Sequence, residues 1–170
     1  LIGTLPAVGI GLGFKDLIYS LFENVTAVGG ALIFTGVVLF GSSFANRQDK
    51  EHSFLTCILI GCAQAMAIIP GVSRSGMTIS AALFLGLSAK EAARFSFLLA
   101  IPAIGGAGLL TALDVSGGFQ MPIPVALAGL TSSFAVGVVA LKWLLGWLEQ
   151  GKFHYFGIYC LVVGLITLVV

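Results

Sequence analysis

The fold this sequence predicts is an all-α integral membrane protein, a polytopic helical bundle with one re-entrant helical hairpin. Hydrophobic residues make up 58% of its 170 positions and charged residues only 9%, against about a quarter charged in a soluble domain. Mean hydropathy is +1.10, so there are too few polar side chains to cover a water-exposed globule. The charges punctuate long apolar runs instead of scattering through them, and Arg74 stands apart from the rest in the middle of such a run. Net charge of +1 says nothing about nucleic acid, but no basic run exists that could track a phosphate backbone, so no nucleic-acid partner is expected.

The elements follow in order. Residues 1–14 form a short apolar segment holding Pro6, the end of a spanning helix. Leu1 opens inside that run with no charged region or cleavage signal, as expected of a piece of a longer membrane protein whose upstream part holds some of the site. Residues 15–24 carry Lys15, Asp16 and Glu23 among aliphatic and aromatic residues and read as an interfacial segment. Val25–Ala45 is apolar for about 20 residues, enough to span. Residues 46–52, Asn-Arg-Gln-Asp-Lys-Glu-His, are a solvated loop.

Phe54–Leu87 is divided by Pro70-Gly71 into two pieces, each too short to cross a ~30 Å hydrocarbon core. One long helix kinked at Pro70 and a hairpin that enters and leaves on the same side both satisfy the pattern. Gly71 and Gly76, flanking Ser73, Arg74 and Ser75, favour an unwound tip over residues 70–78, which survives at membrane depth only when buried in protein or lining a wet cavity. Ser88-Ala-Lys-Glu91 then reads as a capping box opening a helix through Leu113, with Pro102 and glycines where neighbours pack closely. Residues 114–124 are a Gly/Pro loop. Val125–Leu148 spans again, with Trp143 and Trp147 at an interface, and Phe153–Val170 is the last span.

Charge sorting bears on the hairpin. With it, Arg47, Lys50, Lys90, Arg94, Lys142 and Lys152 share one side against Lys15 alone; with a kinked span the count is two against five. The richer side is cytoplasmic, so the hairpin enters from the cytoplasm and the C-terminus lies opposite.

The tip carries the chemistry. An ionisable residue within the membrane is a functional-site hypothesis by default. A Gly/Ser-rich loop running into a helix near Gly76 offers unpaired backbone N–H groups and the positive end of the macrodipole. Ser73, Ser75 and Thr78 add hydroxyls, and Arg74 adds a planar fork suited to two phosphate oxygens. A lipid phosphate or diphosphate fits this cradle. The bland alternative pairs Arg74 with a carboxylate to tie helices together, but Glu91, Asp114 and Glu149 all fall at segment ends.

The stretch from Gly61 to Ser80, containing Gln64 and Pro-Gly-Val-Ser-Arg-Ser-Gly-Met-Thr at 70–78, resembles a signature of the undecaprenyl-diphosphatase (bacitracin-resistance) family, and Ala92-Ala-Arg-Phe-Ser-Phe-Leu-Leu-Ala-Ile-Pro102 is similar to the family's following helix. The resemblance covers essentially all of residues 1–170 and corresponds to the C-terminal two-thirds of a member. It implies hydrolysis of undecaprenyl diphosphate to the monophosphate, recycling the carrier of cell-wall synthesis in the bacterial plasma membrane, and an inverted-repeat architecture in which two re-entrant tips meet. It assigns Arg74, Ser73 and Thr78 to catalysis and Ser75, Gly71, Gly76 and Gln64 to the substrate. Gln64 is either a polar relic lining the cavity or a packed glutamine. The family's N-terminal motif, with paired glutamates and a Ser-Ser-Thr-Gly-His loop, is absent here. The nucleophile or base, and the carboxylates linked to a divalent cation (Mg or Ca), are therefore expected upstream, no metal ligand is expected in this chain, and the chain alone is expected to be inactive. The expected partners are a lipid diphosphate and membrane lipids, with a homodimer left open.

A transporter or flippase also uses broken helices whose N-termini bind anions at the midplane and is the alternative. His52 and His154 lie near segment ends and read as interfacial, without the context of acid-phosphatase-like membrane enzymes. Cys57, Cys62 and Cys160 have no CxxC spacing and read as small core residues.

Overall fold

The computed structural model describes residues 2–4, 23–45, 53–114 and 122–169, with positions 6, 7, 9, 13, 20 and 21. A 3-10 turn at Ile2–Thr4 precedes α1 (Val25–Ser42), α2 (Phe54–Met66), α3 (Arg74–Phe84), α4 (Ala89–Asp114), α5 (Ile123–Glu149) and α6 (His154–Val169). Among the described residues there is no strand, in keeping with the all-α class. The interfacial segment with Lys15 and Asp16, the loop with Arg47, Lys50 and His52, and most of the 114–124 loop lie outside the described residues.

The helices α1, α4 and α5 are each long and apolar enough to cross a membrane. The last helix is shorter than the span expected of it, 16 residues, or about 24 Å at the α-helical rise. Along α5 only Leu148 is buried, although the helix is apolar on all sides, the pattern of a helix that faces lipid.

Side-chain chemistry fixes the helix ends. The Asn24 carboxamide accepts the Ala27 N–H at 3.1 Å and starts α1; Ser53 does the same for α2 through Thr56 N–H at 3.1 Å. At the end of α3, Leu87 N–H reaches Ala82 O at 3.1 Å and Gly86 N–H reaches Leu83 O at 3.0 Å. This Schellman motif needs a left-handed residue, and Gly86 supplies φ 92°. The Ser88 half of the expected capping box is present, its Oγ accepting Glu91 N–H at 3.4 Å, while the Glu91 carboxylate lies 3.7 Å from Arg94.

Close glycine packing occurs, but not where it was expected. Gly105, Gly106 and Gly108 in α4 have nothing among the described residues within 4 Å of an added Cβ. The close seam joins α1 to α6, which run antiparallel: a Cβ on Gly36 would lie 2.8 Å from Gly157 O, and a Cβ on Gly164 would lie 2.9 Å from Gly29 O. Small residues let backbones approach where lipid offers no hydrophobic drive to associate. Both pairs repeat at seven residues, so each helix turns the same face to its neighbour.

The innermost element is α3. Its residues Gly76 to Ser80 are buried, with Ala82 and Leu83, and Ile79 and Leu83 join Leu39, Ile60, Leu99, Leu148 and Phe153 in one core. The cysteines divide: Cys160 is buried, Cys57 half-buried, and Cys62 exposed. Cys62 is therefore not the core residue expected, because its face of α2 turns outward from that core.

Candidate functional site

The site is built where α2 stops and α3 starts. The helix α2 ends at Met66, and Val72 N–H donates to Ile69 O at 3.1 Å in the turn that follows. Gly71 takes φ 90°, and a Cβ there would meet Val28 O at 2.5 Å and the Ala31 methyl at 2.9 Å. Only glycine combines that conformation with that approach to α1.

From α1, the wholly buried Thr35 fastens this turn. Its hydroxyl donates to Gly71 O at 3.3 Å and accepts Ser73 N–H at 3.3 Å.

The α3 helix begins at Arg74, two residues earlier than the expected start near Gly76. Ser73, in extended conformation, is the N-cap. Its Oγ accepts Gly76 N–H at 3.1 Å, the preferred role of a serine in this position. That leaves the Arg74 and Ser75 amides as first-turn donors without an intrahelical acceptor. Gly76 serves packing, since a Cβ there would lie 2.8 Å from the Leu39 side chain and 2.9 Å from Ser73 Oγ.

Arg74 and Ser75, both half-buried, line a cavity of about 420 Å³ together with Ser96 of α4. Ala67, Phe97, Ala100 and Ile104 form its apolar wall, and Ile104 continues onto the exposed face of α4. No carboxylate among the described residues pairs with Arg74, and the one ion pair described there joins Glu91 to Arg94. A second groove of about 390 Å³ along α5, lined by Ala135, Val136, Val139, Ala140 and Trp143, holds no charged side chain among the described residues.

The assigned site residues thus separate. Arg74 and Ser75 face the cavity, whereas Ser73 is committed to the cap and Gly71 to α1. Thr78 is buried behind the cavity at 1% exposure; its hydroxyl donates to Arg74 O at 2.9 Å and lies 2.6 Å from Ser96 Oγ. Gln64 is 2% exposed and is not among the cavity-lining residues described, and among the described residues neither amide atom has a hydrogen-bond partner. Ser96 is a polar cavity-lining position that sequence reasoning missed. Its only signal is a hydroxyl between Phe95 and Phe97 in an otherwise apolar turn.

Chemically, the cavity offers a guanidinium, two hydroxyls and free amides at a helix N-terminus, all suited to an anion, beside an apolar wall that leads to a lipid-facing surface. Mg or Ca takes carboxylate and carbonyl oxygens. Among the described residues no group of three or more His, Cys, Asp or Glu side chains is placed to hold a metal, so these donors do not fit the cation that the resemblance implies.

The family profile of bacitracin resistance protein BacA matches residues 1–166. Relatives called undecaprenyl-diphosphatase include one from Methanothermobacter thermautotrophicus, 42% identical over 99% of this chain and 96% of its own length. Those from Korarchaeum cryptofilum and Desulfatibacillum aliphaticivorans are each 40% identical over 99% of this chain, which spans 63% and 62% of their lengths.

Proposed function

Because this chain belongs to the bacitracin resistance protein BacA family, we propose that it acts in the hydrolysis of undecaprenyl diphosphate to undecaprenyl phosphate and phosphate, with the cavity at Arg74 holding the diphosphate. The observation that carries this reading is a half-buried arginine without a carboxylate partner among the described residues, at the first turn of the innermost helix. Its fork takes two phosphate oxygens, the Arg74 and Ser75 amides take others, and the α3 dipole offsets their charge. Phosphoryl transfer depends mainly on such positioning and neutralisation. The wall of Phe97, Ala100 and Ile104 leads the prenyl chain from the cavity toward lipid.

The relatives' names support a phosphatase, and no feature favours the transporter or flippase. In this reading α2 and α3 form a re-entrant hairpin in a plasma membrane, entered from the cytoplasmic side where Lys90, Arg94, Lys142 and Lys152 gather, with the C-terminus opposite. The apolar surface of α5 meets membrane lipid. The oriented nucleophile, its base and any divalent cation are assigned to groups outside the described residues.

The test joins this chain to the part of the Desulfatibacillum aliphaticivorans relative that it does not match, and measures phosphate released from undecaprenyl diphosphate. Sustained release is expected, whereas a carrier would bind the lipid and release none.

A further inference from the structure

Ser96 is 4% exposed, lines the cavity beside Arg74 and Ser75, and sits 2.6 Å from Thr78 Oγ1. Each hydroxyl owns one proton. Thr78 Oγ1 also lies 2.9 Å from Arg74 O and 3.4 Å from Ser75 O, both acceptors only. With the Thr78 proton on those carbonyls, Ser96 must donate across the short contact and turn lone pairs toward the cavity. A phosphate oxygen is an acceptor too, so that arrangement repels it. Turning both hydroxyls removes the conflict: Thr78 donates to Ser96, and Ser96 donates into the cavity. Arg74 O keeps the amide of Thr78 as its ordinary helical donor.

We propose that Ser96 is a further diphosphate-contacting residue, and that Thr78 is a positioning residue that sets the direction of its proton. This rests on the reading of the cavity as a diphosphate site. In it, α4 supplies the wall opposite the α3 N-terminus with a neutral donor, so the anion is gripped from two helices. The reversible pair lets that donor be stored as an internal hydrogen bond, which avoids an unsatisfied buried hydroxyl when no anion is bound.

The test is binding of farnesyl diphosphate to the purified 170-residue chain in detergent, by titration calorimetry. Ser96→Ala is expected to weaken binding about tenfold to a hundredfold, the range for a lost hydrogen bond to a charged acceptor. Thr78→Val is expected to weaken it less, Thr78→Ser to restore it, and Thr78→Val to add nothing once Ser96→Ala is present, as coupled residues behave. Unchanged thermal unfolding midpoints exclude a folding defect, and Ser96→Cys is read in its place should the alanine variant not fold. Wild-type affinity in Ser96→Ala, or additive losses in the double variant, overturn the proposal while leaving the cavity reading intact. Absent binding by the wild type, or equal binding by Arg74→Lys, overturns both.

Discussion

Thr35 holds Ser73 by its backbone: the Ser73 N–H donates to Thr35 Oγ1 at 3.3 Å, and the same hydroxyl donates to Gly71 O at 3.3 Å. One side chain on α1 therefore closes both ends of the turn that aims Arg74. Thr35→Val keeps the shape, leaves a buried N–H and a buried carbonyl unpaired, and costs about 1 kcal/mol for each. Expected are faster amide exchange at Ser73 and roughly tenfold weaker diphosphate binding, following that loss of pre-organisation. Thr35→Ser should recover both; if the valine variant exchanges like wild type, the turn is held by something else.

The two serines of the tip should part company. Ser73→Ala removes an N-cap, worth about 1 kcal/mol of stability, and should show first in the unfolding midpoint. Ser75→Ala removes a cavity hydroxyl and should show first in ligand affinity. Both should lose less turnover than an arginine variant, because a hydroxyl supplies positioning and a single hydrogen bond. Complete loss of turnover in either would make that serine the nucleophile and overturn the assignment of the nucleophile to groups outside the described residues.

The α1–α6 seam predicts a stability effect far from the tip. A Cβ on Gly36 would meet the Leu161 side chain at 2.6 Å and Gly157 O at 2.8 Å, so Gly36→Ala forces the helices apart at a cost of about 1–3 kcal/mol. Gly137→Ala, with nothing within 4 Å, is the control and should match or exceed wild-type stability. Thermal unfolding in detergent reads the difference; equal midpoints for the two variants would remove the seam from the account.

The 170-residue chain by itself is expected to bind a prenyl diphosphate without turning it over. Among the described residues, the cavity-lining side chains include no carboxylate, histidine or cysteine that could act as a base, and phosphoryl transfer requires an oriented nucleophile. Sustained phosphate release by the purified chain with magnesium or calcium present would place the nucleophile or its base within this sequence.

Much of this was legible in the residues. Composition set the class, the Pro70-Gly71 break falls between α2 and α3, and the arginine isolated in apolar sequence lines the cavity. What escaped depends on contacts between distant positions. Thr35 lies 36 residues from Gly71, and in sequence it is one more hydroxyl that could bond its own helix. Ser96 faces Thr78 across 18 residues and looks like Thr111 or Thr131, which do bond their own helices. Two glycines in the sequence suggest unwound chain and a later start for α3, whereas the Ser73 cap lets Gly76 sit inside the first turn. The heptad spacing of Gly29 with Gly36 and of Gly157 with Gly164 was visible, but periodicity alone does not say which helices meet.

Arg74→Lys in the joined enzyme tests the central claim most directly. Lysine keeps the charge but loses the two-pronged grip on phosphate oxygens. Phosphate release from undecaprenyl diphosphate is predicted to fall at least ~100-fold, as when a transition-state charge clamp is removed, with an unchanged unfolding midpoint. Near-normal release by that variant would contradict the account and leave Arg74 a structural residue.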